Sequence, residues 1–264
     1  PEALAVVCAG MFLAAAFNFL LIEGFGGPVS TVDITVEDTR ERFAEAWARL
    51  TADSVSYVSV VIVVLASTLS LVVVTLLPRY STDVLGLSSE NMIFVVTPAA
   101  LGIWLALRFV RAAAERYSPW WTIGGSFGAL VFGVMAAAFV NPFADVLERL
   151  NLFGLFDPGP FGETTALIIV TGAIALGLAF VYTFLNVVGR SIINHRIPTD
   201  MQGRIFAAQT VLTNLASIPP ILLAGILADL IGTTKVFFLV GLICGLLALY
   251  YTARNMAAPV RRAA

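Results

Sequence analysis

The residues able to do chemistry are few, and their spacing argues against catalysis. An enzyme needs a nucleophile with a base and an orienting group, or a cluster of metal ligands. The single histidine, His195, stands between Asn194 and Arg196 and reads as a solvated loop residue. Cys8 and Cys244 lie in apolar runs, without CxxC spacing or histidine neighbours, so they give neither a disulfide framework nor a zinc site. No catalytic residue, metal ligand or cofactor is expected. What remains is a set of uncharged polar side chains in otherwise apolar stretches. Tyr182, Thr183 and Asn186 form one group, and Gln209, Thr210, Thr213, Asn214 and Ser217 a second. Intervals of three and four residues put the second group along one stripe of a helix. Polar groups in apolar surroundings seek water or another helix. The stripe is therefore either the wall of a cavity or a set of interhelical hydrogen bonds.

Composition identifies the elements that must position these residues. Of 264 residues, 59% are hydrophobic and only 12% charged, against roughly a quarter in a soluble domain. A soluble core of this length could not hide so many apolar side chains. No charge falls between Ser54 and Pro78 or between Thr164 and Gly189, and crossing a bilayer takes about 20 apolar residues. The lipid bilayer is thus the first partner. With a net charge of -2 there is no basic field to hold nucleic acid. The first apolar run lacks the basic flank and small-residue cleavage site of a secretory signal.

Windows of helical length predict about seven transmembrane helices: 3–22, 55–77, 92–107, 120–140, 165–188, 205–228 and 236–251. These runs are too long and continuous for the alternating strands of a barrel, so the expected fold is an all-α polytopic bundle. Its cations divide unevenly between alternate connections. Arg40, Arg42, Arg49, Arg108, Arg111, Arg116, Arg190, Arg196, Arg204, Arg254, Arg261 and Arg262 fall on one side, with only Arg79, Arg149 and Lys235 on the other. Cations favour the cytoplasm, which puts the N-terminus outside and the C-terminus inside. The expected domains are a first span, 1–23; a cytoplasmic connector, 24–54; a six-helix bundle, 55–254; and a cytoplasmic tail, 255–264. Within the connector Val36, Phe43, Trp47 and Leu50 recur at helical spacing, predicting an amphipathic helix along the membrane surface that links two bundles. The external connection 141–164 is expected in short pieces, broken by Pro142, Pro158 and Pro160.

Three stretches give a resemblance. LeuLeuProArgTyr at 76–80, followed by ValLeuGlyLeuSer at 84–88, resembles the external end of helix seven in the drug- and macrolide-exporter-like branch of the major facilitator superfamily. IleProThrAspMetGlnGlyArgIlePhe at 197–206 resembles that branch's loop between helices ten and eleven. GlyIleLeuAlaAspLeuIleGly at 225–232, followed by Phe237, resembles its turn between helices eleven and twelve. Gln202 departs from the pattern, standing where a basic residue is common before GlyArg. The loop at 108–117 keeps its basic residues but lacks the repeated family motif.

The resemblance covers about residues 55–254 and implies the C-terminal half of a permease in a bacterial plasma (inner) membrane. Such a protein would be a secondary active exporter moving small amphipathic molecules by alternating access. Its partner would be an N-terminal transporter half, supplied by the same full-length chain or by another subunit. The chain starts at Pro1 without a methionine, and a portion of a longer chain is the expectation. The implied substrate-cavity candidates are Tyr182, Asn186, Gln209, Thr213 and Asn214; the gating or loop candidates are Gly203, Arg204 and Asp229. By its own chemistry Arg204 also reads as an anchor at the cytoplasmic interface, and Gly225 and Gly232 as helix-end glycines around a tight turn. Gly124 with Gly128, and Ala173 with Gly177, are expected to permit close helix contact, and Pro98, Pro219 and Pro220 to bend their spans. No carboxylate occupies mid-membrane in any span. That absence keeps open an alternative, a non-transporting membrane module for interaction or assembly with a transporter-like bundle.

Overall fold

The computed structural model describes residue 44 and residues 47–86, 93–116, 118–150 and 165–257, all within one compact unit, Phe43–Ala264. The expected first span, most of the connector, residues 151–164 and the tail from 258 lie outside the described residues. Every element described is an α-helix: α1 (Ser54–Asp83), α2 (Ile93–Arg116), α3 (Pro119–Ala137), α4 (Val140–Leu150), α5 (Thr165–Arg196), α6 (Thr199–Ile231) and α7 (Thr233–Ala257). All but α4 are long and apolar enough to cross a bilayer, giving six spans where the sequence placed its last six. The protein is an all-α polytopic membrane bundle.

α1 shows what solvent does to propensity. Its Val- and Ile-rich sequence would favour a strand in water, but in hydrocarbon only a helix pairs every backbone group within the segment. Asp53 starts it, accepting from the Ser56 amide at 3.3 Å and the Ser56 hydroxyl at 2.5 Å. Ser59, buried in the second turn of α1, donates to the Val55 carbonyl one turn back at 2.6 Å. Half of the α1 span is buried against 17–33% of the others, so α1 is the central helix. It packs on α3, α5, α6 and α7, while α5 gathers α2, α3 and α4 as well. α1 and α2 are consecutive yet hardly touch among the described residues.

Close helix contact does occur through small residues, but not those expected. A Cβ added at Gly124, Gly128 or Gly177 would meet no atom within 4 Å, and Ala173 is exposed. The tight approach is instead between α2 and α5, where a Cβ on Gly102 would collide with the Leu176 carbonyl oxygen and one on Gly172 would press on Pro98 at 3.1 Å. Gly133 against Leu178 joins α3 to α5, and Gly189 against Val63 joins α5 to α1. Spacing finds small residues; which face meets a neighbour is a tertiary matter.

Connections and ends also differ in detail from expectation. The α6 to α7 turn is Gly232 alone, at φ 89° and ψ 150°, outside the αL well but still in a region open essentially to glycine. Gly225, expected to flank that turn, lies inside α6. Of the connection 141–164 only the first part is described: residues 140–150 form the amphipathic α4, with Pro142 in its first turn, where a missing N–H costs little. Val140 and Ala144 are buried, and α4 packs on α5. The end of the connector helix, 47–52, docks on the bundle: Leu50 is 1% exposed and clusters with Val60, Ile193, Ile197, Met201 and Ile205, between α1, α5 and α6. The helices continue through Pro78, Pro98, Pro219 and Pro220.

Candidate functional site

The gap between α1 and α2 is a cleft of about 270 Å³, floored by α5 and backed by α3 and α7. Its walls are Leu69, Val73, Val74 and Leu77 from α1, Val95, Ala99 and Ile103 from α2, and Ile174, Ala175, Leu178 and Ala179 from α5. Five hydroxyls are set into this apolar lining: Ser70, Tyr80, Thr171, Tyr182 and Thr183. No charged side chain lines it. Most of these residues sit in the half of the bundle where α1 ends and α2 and α5 begin, with Tyr182 and Thr183 just past the middle of α5. The Leu50 cluster lies toward the opposite end, between α1, α5 and α6.

Tyr80 holds the top of the cleft together. The ring, 2% exposed, stacks on Phe237 of α7 with centroids 5.1 Å apart. Its hydroxyl donates to the carbonyl of Ala137 at 2.8 Å. Ala137 is the last residue of α3, where carbonyls lack intrahelical partners. One side chain thereby ties α1 to α3 and α7. Thr171 lies beside this phenol, whose oxygen is within a long contact of its hydroxyl, and its buried Oγ1 makes no hydrogen bond of ordinary length.

Of the cavity residues expected from the sequence, only Tyr182 lines the cleft. Asn186, one turn further along α5, donates its amide to the Tyr182 carbonyl at 3.0 Å. The stripe on α6 is split by the packing. Gln209 and Ser217 are buried, Gln209 with an unpartnered Oε1, while Thr213 is half-buried and Thr210 and Asn214 face outward. None of the α6 stripe reaches the cleft.

The motif residues occupy the bundle ends. Asp229 of α6 pairs with Arg79 of α1, whose Nε also meets Asp83 at 3.0 Å, so the first and third of the family-like stretches meet in space. At the opposite end Arg196 of α5 pairs with Asp53 at 3.2 Å. Gln202, the departure from the family pattern, closes the end of α5 by donating its amide to the Asn194 and Ile197 carbonyls at 3.0 and 2.9 Å. Arg204 is half-buried, and Gly203 is exposed with space for a side chain. His195 lies in the last turn of α5 rather than in a loop, its Nδ1 2.7 Å from the Ser191 carbonyl, so that nitrogen carries a proton. Among the described residues no group of His, Cys, Asp or Glu could hold a metal ion.

Comparison with known protein families, curated proteins and solved structures found no match to this chain. The site therefore rests on its own geometry. Sequence reading passed over Tyr80, Thr171 and Ser70 as site residues. Tyr80 was visible within the LeuProArgTyr stretch, but Thr171 and Ser70 carry no signal beyond being hydroxyls in apolar runs.

Proposed function

We propose that this membrane bundle is the C-terminal half of a major-facilitator-type transporter, exporting small amphipathic molecules by alternating access together with a second half-bundle. The observation that carries the reading is the hydroxyl-dotted cleft between α1 and α2, a ligand-sized space where two consecutive helices would otherwise pack. The resemblance at 76–88, 197–206 and 225–232 points the same way, since most of its described residues lie in or beside the last or first turns of helices, where a moving bundle makes and breaks contacts. An enzymatic role finds no support in the chemistry of the spans.

The test uses the complete protein in cells loaded with N-phenyl-1-naphthylamine, a neutral fluorescent compound. Energised cells should extrude it faster than cells carrying an empty vector, and Ala175→Phe, which fills the cleft, should remove the difference at equal membrane expression. Identical efflux in all three would remove the transport reading. The alternative, an interaction or assembly module, is favoured by one observation: Asn214 is exposed in mid-span on α6, and an amide facing lipid is costly unless another helix covers it. On that reading Asn214→Leu would weaken an assembly and leave every efflux rate unchanged.

A further inference from the structure

We infer that the cleft selects small, uncharged, mostly apolar molecules carrying one hydrogen-bonding group, and that Thr171 is the residue that reads that group. This deepens the transport reading of the same cleft and rests on it for the site's purpose, though not for its chemistry. Size comes first. A volume of about 270 Å³ lies just below the roughly 300–1,000 Å³ of drug-sized pockets, so the occupant is a compact molecule. Charge comes second: with no ionic residue in the lining, an ion entering the cleft would give up its hydration for nothing. Access comes third. Val74 and Ile103 stand on the two helices that flank the opening, 60% and 45% exposed, so in a bilayer the entrance is apolar and admits what already partitions into lipid.

The hydrogen-bonding group is argued from Thr171. Its residue is 5% exposed, it belongs to the cleft lining, and its Oγ1 makes no hydrogen bond of ordinary length, the Tyr80 phenol oxygen beside it offering only a long contact. Neighbouring Tyr80 has already committed its proton to Ala137. A buried hydroxyl left unpaired is costly, and a ligand that pairs it recovers that cost on binding. Because Thr171 lines the cleft, a polar group entering there competes for its hydroxyl with the long contact to the Tyr80 oxygen. A plain hydrocarbon, a lipid tail included, would fill the space but leave Thr171 with that long contact alone.

The experiment measures thermal unfolding of the full chain in lipid nanodiscs with three matched probes: naphthalene, 1-naphthol and 1-naphthoate, at equal bilayer concentrations. Binding to the folded state raises the transition temperature. The expected result is that 1-naphthol binds about three- to tenfold more tightly than naphthalene, the worth of one net hydrogen bond, and that 1-naphthoate gives no shift. Thr171→Val should level the two neutral probes while both still bind, and should leave the empty protein as stable as before or more so. Ala175→Phe should abolish both shifts; if it does not fold, Thr171→Val carries the test alone. Equal binding of naphthalene and 1-naphthol to the unaltered protein, binding of 1-naphthoate, or a naphthol preference that survives Thr171→Val would each overturn the inference. Its failure is separable from that of the transport reading. Efflux without the naphthol preference removes only the inference, and the preference without efflux removes only the function.

Discussion

Tyr80 illustrates how much a single side chain contributes when it reaches three helices. Its ring is packed on Phe237 and its hydroxyl satisfies the terminal carbonyl of α3, so the two roles are separable by substitution. Tyr80→Phe keeps the stacking and leaves the Ala137 carbonyl unpaired. It should lower stability by about 0.5–1.5 kcal/mol, as read by thermal unfolding in nanodiscs. Tyr80→Ala removes the ring as well, and truncating a buried aromatic costs about 3–5 kcal/mol. Equal losses in the two variants would mean that the hydroxyl alone matters. Gln202 teaches a related lesson at the other end. Against the family pattern it looks like the loss of a basic group, but the structure gives its amide two backbone carbonyls at the end of α5, acceptors of the kind a basic side chain also serves.

At the scale of elements, the contact between α2 and α5 is set by backbone approach. Gly102 faces the Leu176 carbonyl, an atom of a helix backbone that cannot step aside as a flexible side chain would. Gly102→Ala should therefore separate the two helices and destabilise by about 1–3 kcal/mol, the usual cost of overpacking. Gly124→Ala, with open space around its Cβ, should be neutral or stabilise by up to about 1 kcal/mol through the lower entropy of the unfolded chain. Thermal unfolding of the two variants side by side settles the matter, and a reversed order would show that small residues act here through propensity alone. The same pair of helices forms part of the cleft wall, so Gly102→Ala should also change its width. α1 is the counterpart on the other wall, held in place by four neighbours and not by α2.

For the whole molecule, the ion pairs mark two opposite ends. Asp53 with Arg196 ties the start of α1 to the end of α5, and Arg79 with Asp229 ties the ends of α1 and α6. The helices therefore alternate up and down, and the cation distribution gives the expectation for which end faces the cytoplasm. The expectation is that Thr82→Cys reacts with an impermeant thiol reagent added to intact cells, whereas Thr199→Cys reacts only after the membrane is opened. Both positions are exposed on the bundle, so burial does not confuse the readout. Labelling of Thr199→Cys from outside would invert the topology and place the cleft in the cytoplasmic half.

The sequence alone determined that the chain is helical and membrane-embedded, and where its last six spans run. These properties are local: a run of apolar residues without charge has one stable form in hydrocarbon, whatever surrounds it. Rotation of each helix was not legible. In water the buried face of a helix is the apolar one, but lipid is as apolar as leucine, so the face toward a neighbour and the face toward the bilayer look alike in sequence. That is why Gly124 and Gly128 read as a contact face and Gly102 did not, and why the polar stripe of α6 read as continuous when the packing divides Gln209 from Asn214. Only the tertiary structure brought Arg79 to Asp229 across 150 residues, and only it left α1 apart from α2, with Thr171 beside Tyr80 in the wall of the gap.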